Sequence, residues 1–318
     1  MDYKDRRPVL TVIGILLLLV GIAAAFLGPV EMYCFYLFSE GGRFHYEGFG
    51  FGSFMFGNIA CQIIGYYTIA ILCVPLGYGH LKMRRWVRTL SLTLLWFWLV
   101  VGMPLIIVLF LILVTAKDLS LAAVLIAVVL LALSYLAAPG LFIQFYRGRN
   151  VRLTFENQDP QSYWIEKLPI PVLVLCSLYA FYSIVLHIPI FFNGVFPLFG
   201  IFLSEIQGIL LLDVSIVYLV FLIWGTLRLR TWSWWGSLIY FGLATFSSIL
   251  TLVQSSYSDI LAAMDFPAKE IEFLQNVPIQ GSHLAAFIGV PLLLTVGAII
   301  LSKRHFGAES LALSRQDS

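Results

Sequence analysis

Eight apolar runs, at 8–28, 56–78, 90–114, 119–145, 169–192, 197–224, 233–252 and 284–301, constrain this chain more than any other feature. A bilayer's hydrocarbon core is ~30 Å thick, and at ~1.5 Å per residue a helix needs ~20 apolar residues to cross it. Each run has about that length. Inside hydrocarbon every backbone N–H and C=O must be satisfied within the segment, which a helix does. Composition agrees: 60% of the 318 residues are hydrophobic and 11% are charged, against ~25% charged in soluble domains. The sequence predicts an all-α, polytopic integral membrane protein with about eight transmembrane helices.

The placement of charge predicts orientation. With both termini cytoplasmic, 16 of the 19 Lys and Arg fall on the inner side, leaving Arg43, Lys117 and Lys269 outside. Cytoplasmic flanks of membrane helices are enriched in these residues, so the number of crossings is even, and a bacterial cytoplasmic membrane is the expected location. Every basic cluster flanks an apolar run, so the partner it implies is the lipid bilayer and not a nucleic acid. The run at 8–28 follows Arg6 and Arg7 and passes Ala23, Ala24 and Ala25, which suits a signal peptide. It exceeds the ~7–15 apolar residues of such signals and reads as a retained helix. Cys34, Cys61, Cys73 and Cys176 lack CxxC spacing and read as small apolar residues, with no disulfide framework.

Between the runs, 29–57 is rich in Gly and Phe and reads either as a hairpin around Ser39, Glu40, Gly41 and Gly42 or as an irregular aromatic loop at the membrane interface. His45 and Glu47 lie two apart there, too few for a metal site, and read as a solvated pair. Segment 254–282 is polar, with helical patches at 258–266 and 268–275 separated by Pro267. Pro104 predicts a kink in the third helix, and Asn157 to Pro160 a turn. A shift of 146 lays Gly79, Leu81, Lys82, Met83, Arg84, Trp86, Ser91 and Leu92 over Gly225, Leu227, Arg228, Leu229, Arg230, Trp232, Ser237 and Leu238 without a gap. Membrane anchoring accounts for the Arg and Trp, but not for the Gly or the Ser-Leu pair. The match predicts parallel duplication of a four-helix unit: 1–152 and 169–305, joined by a cytoplasmic linker at 153–168 and followed by a short tail at 306–318.

Asp213 is the leading functional candidate. A carboxylate near the middle of a membrane helix costs ~3 kcal/mol on insertion scales. If 169–192 and 197–224 form a helical hairpin turning near Phe196, His187 is level with Glu205, and Tyr179 with Asp213. Glu205 and Asp213 are then about 80° apart around the helix and ~12 Å apart along it. The expectation is an outward-opening cavity lined by Asp213, Glu205, His187 and Tyr179, with Tyr182 and Ser183 along its wall. Gln62, Asn58 and Tyr66 would form the facing wall, and Tyr67 occupies the position that Asp213 takes under the shift. The plainer alternative has Asp213 protonated, or hydrogen-bonded to Tyr179 or Ser183, holding helices together.

The sequence contains no HExxH, GxSxG or GxxxxGK[ST] pattern, and Gly48, Gly50 and Gly52 lie in an aromatic segment without a dinucleotide-fold context. His187 alone among the five histidines is well inside a run, which argues against haem ligation. No cofactor or metal is expected. The leading functional expectation is a non-enzymatic binding or transport-type protein for a small or amphipathic molecule. A second is a structural or assembly subunit that docks a protein partner through its external loops. A third, an intramembrane enzyme using His187 with Glu205 or Asp213, lacks a visible nucleophile or metal.

Overall fold

Glycines spaced by seven place Gly14, Gly21 and Gly28 on one face of α1 (Arg7–Phe38), and all three are buried. They let α2 (Phe54–Leu81) approach closely. A Cβ on Gly21 would lie 2.7 Å from a Val74 methyl and 2.9 Å from the Val74 backbone nitrogen, and one on Gly28 would lie 2.8 Å from the Tyr67 ring. Lipid supplies no hydrophobic drive between helices, so close packing through small residues is what holds such a pair. The Ser53 hydroxyl caps α2 by accepting from Phe56 N at 3.2 Å. The computed structural model describes residues 4–39, 41–46, 48–115, 120–275 and 280–307. Among these, eight helices are long and apolar enough to cross a membrane, and the fold is that of an all-α membrane protein. Glu40, Glu47, Lys117 and Arg315, to which the sequence reading gave places, lie outside the described residues, as does the tail from 308.

The chain forms two compact units, one of 1–92 with 142–167, the other of 93–141 with 168–318. This division differs from halves at 1–152 and 169–305, because α3 (Arg85–Thr115) begins in unit 1 and continues in unit 2, where α4 (Leu121–Ala132) follows it. After a π turn at Leu133–Ala137, α5 (Ala138–Arg147) leads back into unit 1 and to α6 (Arg149–Gln158). Much of α6 falls where a linker was expected. It is too polar to register as a span, but Val151, Thr154 and Phe155 form a buried stripe on it. The N-terminal stretch is tied to it, with Arg6 N donating to Thr154 Oγ1 at 3.1 Å. The helix stops at Asp159 and Pro160, where the turn was expected.

Unit 2 continues with α7 (Ile170–Val185), a hairpin of β1 (Phe196–Leu198) and β2 (Ile201–Leu203), α8 (Glu205–Leu227), α9 (Thr231–Gln254), α10 (Tyr257–Met264), α11 (Ala268–Gln275) and α12 (Gly281–Ser302). Its core gathers Leu175, Leu178, Tyr179, Leu219, Leu222, Phe241 and Ile299, with the Tyr179 ring stacked on Phe241 at 5.2 Å. Trp234 Nε1 donates to the Ile299 carbonyl at 2.8 Å.

One expectation needs correction, and one open choice is narrowed. The run 197–224 is not one helix, because its first residues pair antiparallel, Phe196 with Leu203 and Leu198 with Ile201. The turn between them has positive φ at Phe199 (44°) and Gly200 (95°). The N–H groups of Phe199 and Gly200 donate to Ser247 Oγ and Thr251 Oγ1 on α9, each at 2.9 Å, so the apolar tip keeps its backbone satisfied. In 29–57, α1 runs on to Phe38 and no strand occurs among the described residues. The chain then folds back irregularly, with Phe44 N and Tyr46 N donating to the carbonyls of Leu37 and Phe38, beneath packed rings of Phe35, Phe38, Phe49 and Phe56. Helices α10 and α11 form where the two patches predict them.

The two stretches that match at a shift of 146 adopt the same turn. Helix α2 ends at Leu81 and α8 at Leu227; Met83 and Leu229 take left-handed φ of 49° and 52°. Arg84 N donates to Gly79 O at 2.8 Å and Arg230 N to Gly225 O at 3.0 Å. Met83 N donates to His80 O and Leu229 N to Thr226 O, both at 3.0 Å, completing a Schellman motif in each. A Cβ on Gly225 would come within 2.5 Å of the Trp232 ring, and one on Gly79 within 3.0 Å of Trp86. The recurring Gly is therefore the seat of the recurring Trp.

Candidate functional site

Among the described residues the cavity expected around Asp213 does not assemble. Asp213, Glu205 and His187 are all exposed, and none lines either cavity described below. Because the hairpin occupies the start of the run, Glu205 is the first residue of α8, its N–H donating to the Asn193 carbonyl at 2.7 Å. His187 Nδ1 donates to the Ser183 carbonyl at 2.7 Å. Tyr179 is wholly buried in the core of unit 2. Neither of the partners considered for Asp213 holds it: the Ser183 hydroxyl donates to the Tyr179 carbonyl at 2.8 Å, and the Tyr179 hydroxyl faces Ser237. Gln62, Asn58, Tyr66 and Tyr67 belong to unit 1, where Gln62 and Asn58 are exposed and Tyr67 packs over Gly28.

A different constellation forms at the basic end of unit 1. Helix α3 opens on Arg85 and Arg88, with Arg84 just before it, so three cations sit at the positive end of a helix dipole, where they are disfavoured. The segment after α6 supplies compensation. The buried Asp159 carboxylate accepts from Arg85 N at 3.2 Å and from Tyr163 Oη at 3.0 Å, with Arg84 at 3.8 Å. Desolvation, and then the hydrogen bond to Asp159, push the Tyr163 phenol above its ordinary pKa. Glu166 Oε2 meets Arg85 Nε at 3.0 Å, and Glu156 lies 3.6 Å from Arg152 Nε.

These groups enclose a cavity of about 150 Å³ lined by Arg85, Arg88, Thr89, Arg152, Phe155, Glu156 and Glu166. At ~30 Å³ per water, it holds roughly five waters or one small ionic group. Three guanidiniums face two carboxylates, so one positive charge is in excess. Arg85 and Arg152 are paired, whereas Arg88 forms no ion pair among the described residues; its Nε donates to the Tyr146 carbonyl at 2.9 Å. Among the described residues Arg88 is thus the one guanidinium of the three without a contacting carboxylate, the charges of Glu156 and Glu166 acting on it from further off.

Buried behind Arg88 is a polar chain. His80 is fully buried; its Nδ1 donates to the Leu76 carbonyl at 2.7 Å, and its Nε2 shares a hydrogen bond with the Tyr146 hydroxyl at 2.6 Å. Tyr146 in turn lies against Ser91. This chain fixes the end of α5 against α2 and α3, and with it the carbonyl that orients Arg88. The sequence reading passed over Arg88, Arg152, Glu156 and Glu166, treating the Arg residues as topology signals. The available clue was three acidic residues, Glu156, Asp159 and Glu166, within eleven positions of an otherwise basic end.

Unit 2 has a wider cavity of about 580 Å³ at its own basic end, lined by Trp234, Trp235, Ile300, Leu301, Lys303 and Arg304, among others. Lys303 Nζ lies 5.2 Å from the centre of the Trp234 ring. No protein-family model, curated protein or solved structure matches the chain.

Proposed function

We propose that this is a binding protein for an anionic amphipathic molecule, whose head group sits in the pocket of Arg85, Arg88 and Arg152 while its apolar part lies along the spanning helices. The observation that carries the reading is the guanidinium of Arg88, without an ion pair of its own among the described residues, in a pocket at the end of apolar helices. Basic pockets between membrane helices recognise phosphate-bearing head groups, and guanidinium suits them through its planar fork of donors. Each charge-assisted hydrogen bond contributes ~1.5–3 kcal/mol, enough to select an anion from a neutral lipid. By the distribution of Lys and Arg, we place this pocket and both termini in the cytoplasm and the chain in a bacterial cytoplasmic membrane. The shared turn at 79–92 and 225–238 supports the proposal that the chain arose by duplication.

The test is binding of lipids differing in head-group charge to the purified protein, read by native mass spectrometry. The expected result is preferential retention of anionic lipid and a loss of ~10–100-fold in affinity on Arg88→Gln, as removal of one charged hydrogen bond implies. Equal retention by wild type and Arg88→Gln would remove the reading.

A further inference from the structure

Helix α8 has two well-separated faces. Gly208, Leu212, Ser215, Leu219 and Leu222 are buried, while Ile206, Leu210, Val214, Val217, Phe221 and Trp224 are exposed. At ~100° per residue, Ile206, Asp213, Val217 and Trp224 lie within about 20° of a single line down the exposed face. The carboxylate thus stands near the middle of an apolar stripe directed at lipid. It makes no hydrogen bond or ion pair among the described residues. It lies about 12 Å along the axis from Glu205, at the helix start, and a side chain with one methylene cannot reach back to water over that distance, as a long Lys or Arg stem does. An exposed Leu or Val is at ease in hydrocarbon; an exposed carboxylate is not.

We propose that this face of α8 docks a transmembrane helix of a second membrane protein carrying Lys or Arg at the same depth, its cation paired with Asp213 and its apolar residues packed against Leu210, Val217 and Phe221. Charge complementarity selects this occupant over a second copy of the chain. None of the 19 Lys and Arg lies more than four positions inside a spanning helix, Arg88 being the deepest. A second copy can therefore offer Asp213 no Lys or Arg at its depth.

The probe is a labelled single-span Leu/Ala peptide with one Lys placed ~12 Å inside the matching end, incorporated with the full chain into phosphatidylcholine vesicles and followed by energy transfer. The comparison peptides carry Leu at that position, or have the Lys moved to the helix end. The Lys peptide is expected to associate about tenfold more tightly than the Leu peptide, the scale of a polar contact between membrane helices. That difference should vanish in Asp213→Asn, an isosteric change on an exposed face. A Glu peptide should bind Asp213→Lys in preference to wild type. Equal binding of the Lys and Leu peptides, no effect of Asp213→Asn, or equal binding with the Lys at either depth would overturn the proposal. So would a homodimer in the same vesicles that Asp213→Asn dissociates.

Discussion

Leu229 and Met83 hold left-handed backbone at equivalent places in two helix-ending turns, a conformation that costs an L side chain ~1–2 kcal/mol and glycine nothing. They differ in burial: Met83 is 6% exposed, whereas Leu229 is half-buried. Burying a Met side chain contributes ~1.5–3 kcal/mol, which outweighs the strain relieved. Leu229→Gly is therefore expected to raise thermal stability in detergent and Met83→Gly to leave it unchanged or lower it; the same sign for both would show that strain does not decide at these turns. Asp259 offers a test by pH. It accepts from the Ser256 N–H at 2.8 Å, while Ser256 Oγ accepts from Asp259 N at 3.2 Å; the Ser256 hydroxyl beside the carboxylate, and then the Ser256 N–H, hold its carboxyl below the ordinary range. A depressed folded pKa means that the stabilisation of α10 is complete above the unfolded value of ~3.9 and is lost as pH falls through the folded value. Amide exchange in α10 should quicken between pH 5 and pH 3, beyond its intrinsic pH dependence, and Ser256→Ala, which keeps the backbone N–H but removes the hydroxyl, should shrink that step. At this scale the sequence disclosed the Gly and Trp of the paired turns, since they recur at one spacing. It did not disclose the Arg88 pocket, whose members are separated by up to 81 positions, from Arg85 to Glu166.

The α1 and α2 pair rests on glycine, and the two kinds of glycine in it predict opposite outcomes. Gly21 faces Val74, including its backbone nitrogen, and cannot accept a side chain without displacing α2; Gly65 on α2 is exposed, with no atom within 4 Å of an added Cβ. Gly21→Leu should destabilise by ~1–3 kcal/mol through overpacking, while Gly65→Ala should be neutral or stabilising by up to ~1 kcal/mol. Thermal unfolding of the two variants in one detergent decides; a tolerated Gly21→Leu would mean that the helices are not in the contact described. Hydropathy located all eight spanning elements because length and apolarity alone define them. It could not tell an apolar strand pair from the first turns of a helix at 196–203, where the information lay in Pro197, Gly200 and the hydroxyls of Ser247 and Thr251 some fifty residues away. Nor could it find the end of α1, because Tyr and Phe suit an interfacial helix and an interfacial loop equally well. Helix α6 was missed for the opposite reason, its short amphipathic stripe lying within a polar background.

For the whole molecule, orientation decides which compartment the Arg88 pocket serves. A 16 to 3 partition of Lys and Arg argues for the basic end inside, because cations near helix ends resist translocation while Asp and Glu count for little. Gln161 lies after the fourth spanning helix and Ser258 after the seventh, both exposed, so an even and an odd number of crossings separate them from the N-terminus. With that terminus inside, a membrane-impermeant thiol reagent added to intact cells should label Ser258→Cys and leave Gln161→Cys unlabelled until the membrane is permeabilised. The reverse pattern would put the pocket on the outer surface and turn the search for its anionic ligand outward. Labelling of both positions in intact cells, or of neither, would break the count of crossings itself, since no arrangement with three spanning helices between them leaves the two on one side.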